Sequence, residues 1–214
     1  MYLGRIVAVG MTKAGEPVAM YRVSSRSFPN RRAVAGADKA AIIPRQGAED
    51  DLAKNPYISY NCLRRAGNWA VVSNGSQTDP IAEKIASGMP VRDAMALGLL
   101  ALDYEKDSLD TPRIVGAIGG DGNFGYLGII RRDALLVREF ELNPGEARYV
   151  STYLKNRPED DNIDRAFDAG CADCAANYIV DGGVFAGFEN AVTSAAALIR
   201  GGKFELAVKV VDLA

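Results

Sequence analysis

The N-terminal segment of the chain contains two short apolar runs that are separated by a polar turn. The runs are residues 5–10 and 17–23, and residues 13–16 between them include a glycine. Short apolar runs that a glycine-containing loop connects are typical of two paired strands. The chain is therefore predicted to begin with a β-hairpin.

The remainder of the chain divides into strand-like and helix-like stretches. Strands are predicted at residues 40–44, 68–73, 113–118, 124–130, 133–142 and 204–211. Helices are predicted after Asp79, which precedes a proline, from Pro90 to about Glu105, and at residues 145–156, 161–178 and 189–199. For the second helix, the predicted apolar face consists of Val91, Ala94, Met95, Leu97, Leu99 and Leu102. Because strands come first and helices cluster later, the order predicts an α+β sandwich and not a doubly wound fold.

Size and charge limit the possible partners. A chain of 214 residues fits one domain, predicted to span residues 1–214. The formal net charge of −2 argues against a nucleic acid as partner. The sequence has no apolar run approaching the roughly 18 residues of a membrane span, and no basic segment precedes an apolar one at the N-terminus. We expect a soluble, cytoplasmic protein without a membrane partner.

The sequence contains no histidine, which removes the commonest general base and the commonest metal ligand. Its three cysteines are Cys62, Cys171 and Cys174, and an odd number argues against a disulfide framework. Cys171 and Cys174 form a C-x-x-C motif inside a predicted helix, without a second pair. We interpret them as two small residues on a helix face, and not as a metal or redox site.

Residues 120–125 match the G-x-G-x-x-G pattern and follow a predicted strand. A dinucleotide site requires a helix to begin there, so that its backbone amides face the pyrophosphate. A strand-like run follows instead. We interpret this motif as a hairpin turn.

Polar side chains are concentrated in residues 21–32, which contain four arginines, three serines and one asparagine. One guanidinium group can bind two phosphate oxygens in a bidentate contact, and serine hydroxyl groups can add uncharged donors beside it. The segment favours a site for a small anion, with a solvated basic turn as the alternative.

The same segment resembles the archaeal-type IMP cyclohydrolases, which close the purine ring of inosine monophosphate. Residues 1–10, 74–79, 104–107 and 111–114 resemble further motifs of that family, in the same order. The resemblance implies the four-layer αββα sandwich of the N-terminal-nucleophile hydrolases. Because residues 1 and 2 are Met and Tyr, the chain lacks the usual nucleophile of that fold, which favours different chemistry on its scaffold.

The reaction that the resemblance implies is intramolecular. The carboxamide nitrogen of 5-formamidoimidazole-4-carboxamide ribonucleotide attacks the neighbouring formyl carbon, and water leaves. We expect Glu105 to take the carboxamide proton, while Tyr60 and either Arg22 or Arg31 stabilise the formyl oxygen. A position at a helix C-terminus is predicted to raise the pKa of Glu105.

The remaining polar residues of these motifs are expected to bind the purine nucleotide substrate. Arg26, Arg31, Ser24 and Ser27 are predicted to hold the 5′-phosphate, and Asn30 lies in the same cluster. Arg113, Asn74 and Gln77 are expected to bind the base and the ribose of the substrate. The division of acid and base roles remains open, and so does the contribution of residues 133–214.

Two other functions are compatible with these motifs. One is an N-terminal-nucleophile-type amidohydrolase that acts on a small amide, which residues 1 and 2 disfavour. The other is a nucleotide-binding protein without catalytic activity, which the polar cluster alone would permit. A homo-oligomer is expected in each case, of a size that the sequence leaves open.

We predict that ring closure needs no metal ion and no organic cofactor. The reason is the absence of histidine, of a second cysteine pair and of a convincing cofactor loop. Treatment with a chelator should leave the rate unchanged when ring closure is followed by ultraviolet absorbance. Loss of activity that one divalent ion restores would contradict this prediction.

Overall fold

The computed structural model describes residues 1–120 and 123–212, and their fold is α+β with two antiparallel sheets. The first sheet has six strands: β1 (Ile6–Met11), β2 (Pro17–Ser24), β10 (Glu146–Ser151), β11 (Ile163–Asp164), β12 (Ala191–Arg200) and β13 (Lys203–Val210). They lie in the order β11-β10-β1-β2-β12-β13. The seven strands of the second sheet follow one another in chain order, so each connection joins neighbouring strands. They are β3 (Arg31–Ala35), β4 (Lys39–Pro44), β5 (Tyr60–Ala66), β6 (Trp69–Ser73), β7 (Arg113–Gly119), β8 (Phe124–Arg131) and β9 (Ala134–Glu141).

Four α-helices accompany the two sheets in the described part of the chain. They are α1 (Asp51–Lys54), α2 (Thr78–Ala86), α3 (Val91–Leu102) and α4 (Ala172–Asp181), with short 3-10 turns at Pro56–Ile58 and Gly183–Gly187. Within the described ranges, no helix has the length and apolar character that a membrane crossing would need.

Three apolar clusters hold these elements together. The first includes Val7 and Tyr21 from one sheet and Val72 and Ile118 from the other, so the sheets pack face to face. In the second cluster, α4 packs on the outer face of the six-stranded sheet. The third packs α2 and α3 on the outer face of the seven-stranded sheet.

Most strand predictions are confirmed. The N-terminal hairpin forms between β1 and β2, and the predicted strands correspond to β4, β6, β7, β8, β9 and β13. β7 pairs antiparallel with β8 and a strand follows the glycine motif, which excludes a helix there. Asp121 and Gly122, within that motif, lie outside the described residues. β3 and β5 lie in stretches where no element was predicted, because arginines and polar residues interrupt their apolar patterns.

Several helix predictions are wrong. Residues 145–156 contain β10, and the alanine-rich residues 189–199 lie largely in β12. β12 is a strand because it pairs with β2 on one side and β13 on the other, and both of its faces are buried. Its small alanines fit between the two clusters that it separates, so sheet pairing overrides their helix propensity. Residues 161–178 contain the short β11 and only the first part of α4.

Helix boundaries also differ from the predictions. α2 begins at Thr78, so Asp79 lies in its first turn and does not cap it. α3 begins after Pro90 as predicted but ends at Leu102, where Asp103 has a φ of 55°. Leu97 and Leu102 are exposed, whereas the other predicted apolar-face residues of α3 are buried.

Cys171 and Cys174 form a disulfide, so their interpretation as two small residues on a helix face is wrong. Cys171 caps α4, and the bridge joins it to the first turn of that helix. The odd number of cysteines was misleading because the third, Cys62, is buried in the core as a free thiol.

Arg22 is fully buried on β2, and its guanidinium binds the end of α4 and the segment that follows that helix. Nη1 donates to the carbonyl oxygens of Val180 and Phe185 at 2.8 and 3.0 Å, and Nη2 donates to that of Phe188 at 2.5 Å. Further bonds reach the carbonyls of Ile179 and Glu189 and the hydroxyl of Ser24. Burial lowers the pKa of Arg22 to about 10, which leaves it charged at neutral pH.

Replacing Arg22 by Met should therefore leave several buried carbonyl groups without donors. We expect the free energy of unfolding to fall by about 3–5 kcal/mol, because buried polar groups that lose a charged partner are costly. Arg22→Lys keeps the positive charge but has fewer hydrogen-bond donors, so its free energy of unfolding should fall by less than that of Arg22→Met. Urea denaturation of both variants measures the difference, and a loss below about 1 kcal/mol for Arg22→Met would contradict the assignment.

Candidate functional site

Three polar side chains lie together because of the strand directions in the seven-stranded sheet. Arg31, Tyr60 and Arg113 are the first residues of β3, β5 and β7. These are alternate strands of an antiparallel sheet, so all three run in the same direction and their first residues lie at the same end of the sheet. The sheet therefore presents two cations and a phenol at one end.

The six-stranded sheet contributes residues at the same end. Arg5 immediately precedes β1, and Tyr153 follows β10, which runs antiparallel to β1. Gly4 allows this entry because its φ is +71° and a Cβ there would clash with the Thr152 hydroxyl. The Arg5 N–H donates to that hydroxyl at 3.1 Å, which fixes the backbone beside the site.

Arg5, Arg31 and Tyr153 line an inner cavity of about 70 Å³, whereas Tyr60 and Arg113 are not part of its lining. Its lining is polar and comes from both sheets and from the loop after α3: Tyr2, Arg5, Ser25, Ser27, Phe28, Arg31, Asn55, Tyr57, Ile58, Glu105, Asp107, Leu109, Thr111 and Tyr153. An outer cleft of about 420 Å³ shares part of this lining and adds Lys54, Pro56, Lys106 and Ser108. The smaller inner cavity and the larger outer cleft therefore share one wall.

Glu105 is the most buried carboxylate of this cavity, with 2% of its side chain exposed. Its Oε2 atom accepts a hydrogen bond from Arg5 Nη2 at 3.1 Å. Its Oε1 atom lies 4.0 Å from Arg113 Nη1 and is buried without a hydrogen-bond partner. A buried acceptor without a donor is unusual in a folded protein, so this oxygen is the one unsatisfied carboxylate atom beside the cavity among the described residues.

Burial raises the pKa of Glu105 above its ordinary value, although Arg5 and Arg113 oppose this effect. The direction agrees with the prediction, but the cause differs. Because α3 ends at Leu102, burial and not the helix dipole dominates the shift.

The neighbouring Asp107 is held by its own loop. Its carboxylate accepts hydrogen bonds from the Thr111 N–H at 2.9 Å, the Thr111 hydroxyl at 2.8 Å and the Leu109 N–H at 3.2 Å. The Glu105 N–H donates to the Thr111 carbonyl at 2.8 Å, which closes the same loop. Asp107 therefore shapes the loop, and Glu105 has the carboxylate oxygen without a partner.

Tyr60 shares a hydrogen bond with a second tyrosine between the sheets. The Tyr60 and Tyr21 hydroxyl oxygens are 2.6 Å apart, in a buried contact. Burial raises the pKa of both phenols, and Arg31 and Arg5 partly offset this effect at Tyr60. Both phenols are therefore protonated at neutral pH. One of the two hydroxyl groups donates its proton to the other, and the proton of the accepting hydroxyl is then available to a third group.

Asn74 and Gln77 form a chain of contacts that ends at Arg113. Asn74 donates to the Pro112 carbonyl at 2.9 Å and accepts from the Ile114 N–H at 2.8 Å. Gln77 donates to Asn74 Oδ1 at 2.9 Å and accepts from Arg113 Nη1 at 3.0 Å. These amides hold Arg113 beside Glu105.

The arginine- and serine-rich segment divides between several environments. Arg31 lines the inner cavity and donates from Nε to the Phe28 carbonyl at 3.0 Å. Ser27 lines both cavities. Arg22 and Ser24 bind each other on the face of β2 towards α4, away from the cavity.

Arg26 and Asn30 are exposed and line neither cavity. The Arg26 guanidinium stacks over the Tyr2 ring at 4.1 Å and pairs with Glu189 at 3.5 Å. Since Tyr2 lines the inner cavity, Arg26 contacts a residue of the cavity wall without lining the cavity itself.

Sequence reasoning missed Arg5, Tyr57 and Tyr153 as lining residues. Arg5 was grouped with the apolar run that it precedes, although a charged residue directly before a buried strand was an available signal. Tyr153 belongs to the C-terminal part of the chain, for which no role was predicted. No local pattern brings it to Arg5, because the pairing of β1 with β10 does so.

The site provides one buried carboxylate, three nearby guanidinium groups and two protonated phenols. A carboxylate with a raised pKa accepts a proton, and phenols and guanidinium groups stabilise an oxygen that becomes negative. The arrangement suits proton transfer and oxyanion stabilisation on a small polar substrate. Within the described residues, no group of three or more cysteines and carboxylates is arranged as a metal site.

Comparison with known proteins identifies relatives over most of the chain. Residues 2–203 match the family described as IMP cyclohydrolase-like protein. A protein of Methanosphaera stadtmanae named IMP cyclohydrolase is 52% identical over 92% of this chain and 94% of its own length. Proteins of the same name from Halobacterium salinarum and Methanocella arvoryzae are each 48% identical, covering 94% and 97% of this chain and 93% and 98% of their own lengths.

Proposed function

The chain belongs to the IMP cyclohydrolase family, and we propose that its inner cavity closes the six-membered ring of inosine monophosphate. In the substrate, the carboxamide nitrogen and the formyl carbon are already tethered, so little translational entropy is lost in bringing them together. The nitrogen loses a proton and attacks the carbon. The formyl oxygen then takes up two protons, one from the carboxamide nitrogen and one from the formamide N–H, and leaves as water while the formamide nitrogen forms the C=N bond of the ring.

The observation that carries this proposal is the buried Glu105 oxygen without a donor. A carboxamide N–H placed against Oε1 would satisfy that oxygen and give up its proton to it. Arg5 holds the other oxygen, so the carboxylate points in a fixed direction. Glu105 is therefore the general base, and Arg5 and Arg113 orient it.

Tyr60 and Arg31 are the groups proposed to stabilise the formyl oxygen. If Tyr21 donates its proton to the Tyr60 oxygen, the Tyr60 proton is free for the substrate. This donation makes Tyr21 a positioning residue for Tyr60. The Tyr60 proton can later protonate the departing hydroxyl, so that one residue assists two steps. Arg22, the other arginine predicted for this role, is fully engaged near α4 and is left out of the mechanism.

The ribose phosphate is proposed to occupy the outer cleft, because the inner cavity has room only for the reacting end. Ser27, Lys54 and Lys106 line that cleft and offer a hydroxyl and two ammonium groups. Phosphate binding by Arg26 stays a prediction, and its contact with Tyr2 supports a role at the rim.

An amidohydrolase that uses the N-terminal amine is less well supported. The Met1 amine lies 2.6 Å from Glu189 and donates to the Gly187 carbonyl at 3.1 Å, and Met1 does not line the inner cavity. Incubation with the formylated ribonucleotide separates the candidates. Ring closure changes the ultraviolet absorbance, amide hydrolysis releases an amine, and simple binding does neither.

We also propose that residues 1–214 form one domain with the αββα layering of the N-terminal-nucleophile hydrolases. The packing of α4 on one sheet and of α2 and α3 on the other supports this layering. A cytoplasmic location without nucleic acid partners is proposed from the nucleotide chemistry. A homo-oligomer is proposed as well, with the exposed Leu97 and Leu100 of α3 and Leu135 and Leu136 of β9 in its interface.

Replacing Glu105 by Gln should lower kcat by about 10²–10⁴ with little change in KM, because the base is lost while the shape remains. In the wild type, kcat/KM should fall as the pH decreases through the raised pKa of Glu105, above the ordinary value of 4.5. This acid limb should be absent from the residual activity of the variant. Glu83→Gln, on the surface of α2, is the matched control and should behave as wild type. An unchanged acid limb in Glu105→Gln would exclude Glu105 as the base.

Replacing Tyr60 by Phe should lower kcat by about 10²–10³, and replacing Tyr21 by Phe should lower it by about 10-fold. Because Tyr21 acts through Tyr60, the double variant should be no slower than Tyr60→Phe alone. Tyr149→Phe, on the α4 side of the first sheet, should retain wild-type kcat. Additive losses in the double variant would show that the two hydroxyls act independently.

A further inference from the structure

The disulfide Cys171–Cys174 lies at the start of α4, away from the cavity described above. Helix α4 packs Ala172, Ala175 and Ala176 against the outer face of the six-stranded sheet. Cys174 is exposed and Cys171 is partly exposed. The lining of the inner cavity and of the outer cleft includes no residue of α4. The disulfide is therefore open to reagents that do not enter the active site.

This bridge is poorly suited to stabilise the fold. Only Ala172 and Asp173 separate the two cysteines, and a disulfide restricts the unfolded chain less as its loop becomes shorter. The same turn is already held by the hydrogen bond from the Ala175 N–H to the Cys171 carbonyl at 2.9 Å. The bridge thus adds little restraint to a turn that the helix forms anyway.

The position of the two sulfur atoms gives them different chemistry. Cys171 is the N-cap of α4, and its Sγ accepts a hydrogen bond from the Cys174 N–H at 3.0 Å. A thiolate at that position would be stabilised by this N–H and by the positive end of the helix dipole. Cys171 is consequently the better leaving group, and the exposed Cys174 sulfur is the accessible point of attack.

We propose that Cys171 and Cys174 form a thiol–disulfide exchange site that accepts two electrons from a dithiol. One thiolate of the dithiol attacks Cys174 Sγ, the bond between the cysteines breaks, and Cys171 leaves as a thiolate. The second thiolate of the dithiol then attacks the mixed disulfide and releases Cys174. The protein pair is reduced to two thiols, which take up two protons, and the dithiol is oxidised to its disulfide.

The first test counts thiols in the native protein, by alkylation after acid quenching and unfolding. Air-oxidised protein should take up one alkyl group, at Cys62, and dithiothreitol-treated protein should take up three, with an unchanged circular dichroism spectrum. Three groups before treatment would contradict the proposal, as would a bridge that yields to dithiothreitol only after unfolding. Since no ring-closure assay is involved, this result is independent of the proposed function.

Two single variants test the asymmetry of the pair. With Cys174→Ser, the thiol of Cys171 should show a pKa at least about one unit below the ordinary 8.5 in its rate of alkylation. With Cys171→Ser, Cys174 should lack this shift and should form a stable mixed disulfide with glutathione disulfide. Equal thiol pKa values in the two variants would overturn the assignment of Cys171 as leaving group.

The source of the dithiol is resolved by comparing thioredoxin with dithiothreitol at equal concentration. Reduction that is at least about 10-fold faster with thioredoxin identifies a protein dithiol as the partner, and equal rates identify a small dithiol. Failure of both reagents to reduce the folded protein would contradict exchange at this site.

Discussion

A carboxylate that is withdrawn from water requires cationic partners, and Glu105 finds them on both sheets. Arg5 stands before β1 of the six-stranded sheet, and Arg113 begins β7 of the seven-stranded sheet. The loop after α3 brings Glu105 between them. Three features bring Glu105 and the two arginines together. They are the packing of the two sheets, the backbone conformation at Gly4 before Arg5, and the hydrogen bond that closes the loop after α3. Only one Glu105 oxygen is hydrogen-bonded in this contact, and the other is the oxygen that we propose to accept from the substrate.

Arg22 of β2 and Arg31 of β3 are both buried, but their different hydrogen-bond partners give them different roles in the protein. The guanidinium of Arg22 is surrounded by backbone carbonyls at the end of α4, so it stabilises the fold. Arg31 is also buried, but it lines the cavity beside Tyr60 and Arg5. Their sequence context is the same polar cluster. The direction of each side chain, towards α4 or towards the cavity, separates a structural cation from one that can stabilise an oxyanion.

The fold was predictable where the pattern was local. Periodic apolar runs and glycine turns located the N-terminal hairpin and most strands, and Pro90 marked the start of α3. The pattern failed at β12, where alanines that favour a helix are held in a strand by two neighbours, and at β3 and β5, where arginines and polar residues interrupt the apolar pattern. Arg31 and Glu105 were proposed as site residues from segments that resemble the family, and Tyr60 was proposed because it stands among polar residues. Arg5, Tyr21 and Tyr153 were not, because long-range pairing places them there.

The central claim is that Glu105 contacts the nitrogen that closes the ring. A crystal structure of the protein with inosine monophosphate bound tests it most directly, because the former carboxamide nitrogen is part of the product ring. The account predicts that this nitrogen lies about 3 Å from Glu105 Oε1, with the ribose phosphate in the outer cleft. A product whose ring nitrogen points away from Glu105, with the phosphate beside Arg5 and Arg31 in the inner cavity, would contradict the account.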